Sequence, residues 1–489
     1  MYDLAIDLGT TGCRSILFDE KLHLIADEYR EYGLITPREK WVEQDAELWW
    51  SLTVKTAKAV LEKAGVSGKL VRGISISSQG ITIVPVDETM HPLYNALSWL
   101  DVRAEEQVRE IETHISFREL FTLTGKRNDS AYTLPKLLWL RENEPEIFAR
   151  ARYFLMPMDF LIGKLTGKAV TDHSMASGTI YYDIRNHRWS ERVMNLFGIP
   201  QEKLPSLCWS GENVGTVLPE VAAQIGVSEA CVVAVGAQDQ KCAALGAGLE
   251  DGTMTVSLGT AAAVEKLWTE AKTEGDTRIG WSSYVRKGTW VTEGVLNTAA
   301  SVLRWLRDTL FPGESYDTIN LEAAEAMERS SSLLCYPYLN GPSSPDNYPE
   351  SDGCFYGVNL ATKRGDFAMA VMEGVAFQLR MLLEAMDAYG SVNHLVLFGG
   401  GSKSDLWCRI IANVTGMEIT VPETSEAAAA GAAILSGIAC GAYSREEPPC
   451  IPAKTTYLPE RDKQEYYEEK YRKYRNIERK LWNEQNEIY

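Results

Sequence analysis

No stretch of the 489 residues stays apolar long enough to span a bilayer. The N-terminus opens directly into a strand pattern, without the basic region or cleavage site of a leader, so a cytoplasmic setting and no membrane role are expected. Positive charge is in short supply, with 49 Lys and Arg against 67 Asp and Glu and a net charge of −18. That balance argues against nucleic acid or an anionic membrane as the main partner, but not against a small phosphorylated ligand whose charge local donors and Mg²⁺ would handle. The nine cysteines show no C-x-x-C or His/Cys spacing, so neither a disulfide framework nor a zinc site is indicated. Cys13 and Cys242 read as small buried side chains. G-x-x-x-x-G-K-[ST] occurs nowhere, which excludes a P-loop, and there is no low-complexity segment.

What the chain does have is a duplicated turn. Asp7-Leu8-Gly9-Thr10-Thr11-Gly12 lies between the apolar runs Leu4–Ile6 and Ser15–Phe18, and Ser257-Leu258-Gly259-Thr260 repeats the pattern half a chain later. One glycine hairpin alone reads more naturally as an ordinary tight turn; two imply paired lobes, each offering a turn to a shared guest. Glycine permits close backbone approach, so N–H groups can converge on an anion, and Thr10, Thr11 and Thr260 add hydroxyl donors. Asp7 directs a carboxylate to the same place, which suits a hydrated Mg²⁺ bridging phosphates. The expected guest is a nucleotide triphosphate.

Length alone favours two domains. Strand signals at Leu4–Ile6, Ser15–Phe18, Gly73–Ser77 and Ile81–Val86 precede a helix-rich stretch from Glu105 to Arg150. Val232–Val235 leads into a helix from Gln238. The second half offers strands Met254–Leu258, Ala261–Lys266 and Leu395–Phe398, with helices Thr298–Leu310, Asp366–Ala388 and one from Leu406. Alternating strands and helices predict α/β lobes, joined near Leu249–Gly252. The stripe Tyr467, Tyr471, Tyr474, Ile477 and Leu481 reads as a packing face.

Two strand ends carry candidate chemistry. Val232 to Gln240 places Asp239 just past a buried strand, where ligands bind in α/β sheets, and where a carboxylate could act as general base or merely cap a helix. Leu397-Phe398-Gly399-Gly400-Gly401-Ser402 ends a strand in glycines before a helix, suiting a base, ribose or phosphate, or simply a tight turn.

These landmarks, with Trp99, Asp101 and Arg103, the Trp305-Leu306-Arg307-Asp308 helix and the Ala427–Ala433 segment, occur in the order of a known family. Gly353 to Val358 followed by Asp366-Phe367 and Ala370 to Glu373 fits one family signature, and Thr133 to Leu140 fits another except at Ala131. The chain resembles, end to end, the FGGY carbohydrate kinases, which include glycerol kinase, xylulokinase and gluconokinase. The resemblance implies two actin-like ATPase (ribonuclease H-like) α/β lobes with an interdomain cleft. Residues 1–249 would be the N-terminal lobe with the sugar site and catalytic base, and 250–489 the nucleotide-binding C-terminal lobe. It implies ATP and Mg²⁺ as cofactors, a small-molecule sugar as partner, and homodimerisation as one assembly option. Carried over by position, Asp239 resembles the general base and Asp7 the Mg²⁺ carboxylate. Thr10, Thr11, Arg14, Gly259 and Thr260 resemble phosphate contacts, while Ala300, Arg304, Gly400, Gly401 and Ser404 fall where the family binds ATP.

For the substrate, the resemblance points to Gln79, Gly80, Trp99, Asp101, Arg103, Asp239 and Gln240. Glycerol kinases carry Arg-Glu where this chain has Gly80-Ile81, a tyrosine at Ala131 and a phenylalanine at Ala262, so glycerol is not expected. The smaller residues imply a five- or six-carbon sugar, whether ketose, polyol or sugar acid, closest in character to the substrates of xylulokinase-like enzymes, although those typically place Met-His after the glutamine. A gluconate-type acid is the alternative, with Arg103 as its cation unless Arg103 pairs with Asp101. A sugar-free actin-like ATPase is the remaining one.

Overall fold

The computed structural model of the protein describes residues 1–341, 343–345, 351–387, 392–424 and 426–482. The chain forms two compact units. Unit 1 comprises Met1–Gly246, Trp268–Val291 and Glu426–Ile451; unit 2 comprises Ala247–Leu267, Thr292–Ser425 and Pro452–Tyr489.

Unit 1 is built on β1 (Tyr2–Leu8), β2 (Gly12–Asp19), β3 (Leu24–Glu31), β4 (Val71–Ser78), β5 (Asn213–Thr216) and β6 (Val232–Ala234). Their order across the sheet is β5-β6-β4-β1-β2-β3. β1 runs antiparallel to β2 and parallel to β4, and β6 runs parallel to β4. Leu4, Ile6, Leu8, Ile74 and Ile76 alternate with Asp3, Ala5, Ser75 and Ser77, so each strand has one large apolar face and one of small or polar residues, and all of these side chains are buried. The first face packs in one core with helices Ala46–Ala64, Pro157–Thr166 and Pro219–Ile225. The second meets helix Ala427–Ala439, whose composition of alanine, glycine and serine lets it lie close to the strands. Ser436 there donates to the buried Asp3 carboxylate at 2.8 Å, and Arg72 pairs with the same group. Helix Ala46–Ala64 starts where the Asp45 side chain accepts from Glu47 and Leu48 N–H groups and stops at Gly65, φ 63°.

Unit 2 contains β7 (Thr253–Leu258), nearly all of β8 (Ala262–Trp268), β9 (Trp290–Leu296) from Thr292 onward, β10 (His394–Phe398), β11 (Glu418–Pro422) and β12 (Ala453–Tyr457). The path β9-β8-β7-β10-β11-β12 has the same form as that of unit 1. A hairpin (β7, β8) is again followed in the sheet by parallel strands (β10, β11) and an antiparallel edge (β12). The repeated Leu-Gly-Thr turn therefore marks a repeated fold. Helix Arg364–Asp387 begins two residues before the sequence expectation, whose end at Ala388 lies outside the described residues. Tyr467, Tyr471 and Tyr474 are buried on helix Arg461–Trp482, and Tyr474 shares the Gln378 amide with Tyr338.

One expected element is shorter. Only Val84–Val86 of Ile81–Val86 is strand. Thr82 N–H closes a turn onto the Gly80 carbonyl at 2.7 Å, and Ile81 sits at φ 53°, a conformation that a β-branched residue rarely adopts. Among the described residues no helix is long and apolar enough to cross a membrane.

Candidate active site

The carboxyl ends of the parallel strands in unit 1 assemble most of the residues singled out by sequence. Asp7 is opposite Ser77 across β1 and β4, and Ser77 is opposite Ala237 in a short strand beyond β6. Leu8, Ser78 and Gln238 form the next row. One step further, the same edge carries Gly9, Gln79 and Asp239, where loops and helix starts can face a ligand. Gly236 is what permits this course, since a Cβ there would stand 1.7 Å from the Ile76 carbonyl oxygen. Helix Asp239–Gly246 then starts, and the Asp239 Oδ1 accepts from Gln240 N–H at 2.8 Å and from the Gln238 side-chain amide.

Asp7 is a carboxylate half-buried at the end of β1. Burial pushes its carboxyl up to about 6, a penalty that the Ser77 hydroxyl, donating at 2.9 Å, only partly offsets. Among the described residues no cluster of three His, Cys, Asp or Glu could cage a metal. A single carboxylate fits a cation that keeps its water and shares phosphate oxygens, which is the habit of Mg²⁺.

The turn after Asp7 is closed by Gly9 N–H to the Gly12 carbonyl at 2.9 Å, and Tyr32 OH donates to the Gly9 carbonyl. Thr11 is exposed, its carbonyl held by Tyr32 N–H at 2.9 Å. Arg14 pairs with Glu426 at 2.6 Å and lies over the Tyr29 ring. Neither Gly9 nor Gly259 has a backbone conformation reserved for glycine, and a Cβ would come no nearer than 3.7 Å and 3.4 Å to any neighbour. Folding does not demand glycine at either turn.

Asp101 and Arg103 behave differently from the rest. Both side chains are wholly buried, and Arg103 pairs with Asp101 and with Glu43, each at 2.7 Å. The guanidinium lies 3.8 Å from the Trp41 ring centre and 4.8 Å from that of Trp139. Asp101 also accepts from Val42 N–H at 2.6 Å. The sequence left open whether Arg103 pairs with Asp101; it does. Gln79 is buried too, whereas Trp99 is 39 % exposed and Gly80, Asp239 and Gln240 are half-buried. Sequence reasoning passed over Glu43 and Gln44, which brace these groups and carry no motif of their own.

Unit 2 gathers the remaining candidates. The Gly259–Thr260 turn is stitched to the start of helix Ala300–Leu310: Ala300 N–H donates to the Gly259 carbonyl at 2.8 Å, and Ala299 N–H and Ser301 Oγ donate to the Thr260 carbonyl at 2.9 and 2.7 Å. Ala300 and Arg304 on that helix, with Gly400, Gly401 and Ser404, line a cavity of about 440 Å³. Its far wall is Tyr316, Asp317 and Asn320, which the sequence did not flag; they sit on an ordinary amphipathic helix, Tyr316–Glu328. The three glycines have separate reasons. Gly399 takes φ 93° with its Cβ position 3.0 Å from Leu258 backbone, Gly401 packs on the Leu258 side chain, and Gly400 faces open space. Ser404 caps helix Asp405–Thr415 through Trp407 N–H at 3.2 Å and donates to Asn320 at 3.0 Å.

Comparison with known proteins covers nearly the whole chain. Residues 2–246 match the model of the FGGY family of carbohydrate kinases, N-terminal domain, and residues 254–440 that of the C-terminal domain. The chain is 32 % identical to the xylulose kinase of Bacillus subtilis, over 91 % of its own length and 90 % of the relative's. It is 28 % identical to the gluconokinase of the same organism, over 90 % and 88 %. The crystal structure of a xyloylose kinase from Brucella ovis superposes with a TM-score of 0.90 at 29 % identity, covering 98 % of this chain and 99 % of that one.

Proposed function

The chain belongs to the FGGY family of carbohydrate kinases, sugar kinases of actin-like fold, and from that premise we propose that it transfers the terminal phosphoryl group of ATP to a hydroxyl of a five- or six-carbon ketose or polyol of xylulose-like size. The observation that carries the reading is the strand register that sets Asp7, Gln79 and Asp239 along one sheet edge in unit 1. Asp239 takes the proton of the sugar hydroxyl as it attacks, and Gln79, Gly80, Trp99 and Gln240 hold the sugar. Thr10, Thr11, Arg14, Gly259 and Thr260 hold the phosphates, and the unit 2 cavity takes the adenosine. Asp7 would hold Mg²⁺ through water; that ion neutralises phosphate charge when bound. Asp101 and Arg103 brace the loop that carries Trp99.

Relatives named gluconokinase suggest a sugar acid as the second reading. The buried pairing of Arg103 with Asp101 and Glu43 speaks against it, because the cation that the sequence offered for the acid's carboxylate is already committed. A coupled ADP-release assay over pentuloses, hexuloses, polyols, aldonic acids and glycerol decides between them. A ketose should give the highest kcat/KM, with glycerol lower by about 10- to 100-fold. Gluconate as best acceptor would install the second reading, equal turnover of glycerol would sink the pocket argument, and ADP release indifferent to every sugar would revive the sugar-free ATPase.

Gly259→Ala tests the second phosphate turn. The substitution fits the backbone, so urea denaturation should show stability unchanged or raised by about 0.5 kcal/mol. The affinity for a non-hydrolysable ATP analogue should nevertheless fall about tenfold, or about 1.4 kcal/mol. Unaltered affinity by titration calorimetry would remove the turn from the site.

A further inference from the structure

The Trp99 ring offers an apolar face, but its polar end has a separate engagement. The indole Nε1, which can only donate, stands 2.9 Å from Thr10 Oγ1. The Thr10 hydroxyl therefore accepts at that contact, and its own proton must go elsewhere. The Thr10 carbonyl is held as well, by Gln44 Nε2 at 2.6 Å. Because a carbonyl only accepts, that contact fixes the orientation of the buried Gln44 amide, whose oxygen then receives Gln79 Nε2 at 2.9 Å. Thr10 is thus clamped through backbone and side chain at a half-buried turn, beside Gly9, where nothing in the fold requires glycine. The hydroxyl proton is the one part of this arrangement without an assigned acceptor.

We propose that Trp99 is a positioning residue for the phosphate turn: its indole N–H, backed by Gln44, commits the Thr10 hydroxyl proton to an anionic oxygen of the nucleotide's terminal phosphate. The inference rests on the reading of Thr10 as a phosphate contact. It gives Trp99 two faces with two duties, the ring toward the acceptor and the N–H toward the donor nucleotide, so the acceptor side of the site helps to set the phosphate side.

Trp99→Phe keeps an aromatic face and deletes only the N–H. The readout is binding of the Mg²⁺ complex of adenylyl imidodiphosphate, measured by titration calorimetry without any sugar, so that acceptor contacts cannot interfere. Thr10→Val should weaken binding about tenfold, Trp99→Phe about three- to fivefold, and the double variant no more than Thr10→Val alone. An unchanged affinity in Trp99→Phe beside a weakened Thr10→Val overturns the proposal, as do effects that multiply in the double variant, since a merely structural tryptophan would act independently of the Thr10 hydroxyl. No effect of Thr10→Val would overturn it at its foundation, by removing Thr10 from the phosphate site. Should Trp99→Phe fail to fold, Gln44→Met enters the same cycle, with the same non-additivity expected and independence again counting against the proposal.

Discussion

Asp239→Asn should lower kcat by about 10²- to 10⁴-fold while leaving the affinity for a non-hydrolysable ATP analogue close to that of the parent. The replacement is nearly isosteric, and an asparagine oxygen can still accept from Gln240 N–H and the Gln238 amide, as the carboxylate oxygen does. The fold around the helix start is therefore retained. What is lost is a site basic enough to take the hydroxyl proton as the oxygen attacks phosphorus. Steady-state kinetics at saturating sugar and nucleotide, paired with calorimetry, separate that loss from a binding defect. Near-parental turnover would show that the sugar hydroxyl needs no base here and that Asp239 serves chiefly its helix.

Gly431→Ala should cost about 2–4 kcal/mol of stability and much of the activity that remains. Helices Asp239–Gly246 and Ala427–Ala439 touch backbone to backbone: a Cβ on Gly431 would stand 1.9 Å from the Cys242 carbonyl oxygen, and one on Gly246 would stand 2.0 Å from that of Ala427. Backbone cannot swing aside as a long side chain can, so the helices must separate by about an ångström, giving up close-packed contacts along their length. The first of them begins at Asp239, so the shift reaches the proposed base. Urea denaturation measures the stability, with Gly33→Ala as control, because nothing lies within 4 Å of that position. A Gly431→Ala protein as stable as the control would mean that the two helices can part without loss.

The Leu-Gly-Thr turns were legible because a hairpin is local, and its glycine is visible whether or not the fold requires it. The α/β character followed from period and alternation for the same reason. The Leu397 to Ser402 run was legible as a turn but not in its parts, since the reasons for Gly399 and Gly401 lie in Leu258, about 140 residues away. Asp101 and Arg103 were visible as a motif, but their partners Glu43 and Trp41 come from a segment some 60 residues earlier, and only the folded chain shows the ion pair closed and buried. Gln44 illustrates the limit most plainly. A glutamine carries no signal until an acceptor of fixed polarity and a donor are set around it, as the Thr10 carbonyl and the Gln79 amide are here. The shortened strand before Val84 failed for a local reason, the left-handed Ile81, which nothing in the residue's own chemistry announces.

The bond between Ser436 and Asp3 joins residues 433 positions apart. A ribosome delivers the chain from its N-terminus, so the small-residue face of the first sheet waits uncovered while most of the protein is made. Helix Ala427–Ala439 is the piece that covers it, and it emerges after the strands of the second sheet except the last. The opening half of the chain cannot finish folding as a separate early event. Its burial is a late closure of high contact order, and the nascent protein carries that sheet face uncovered until the helix has been made.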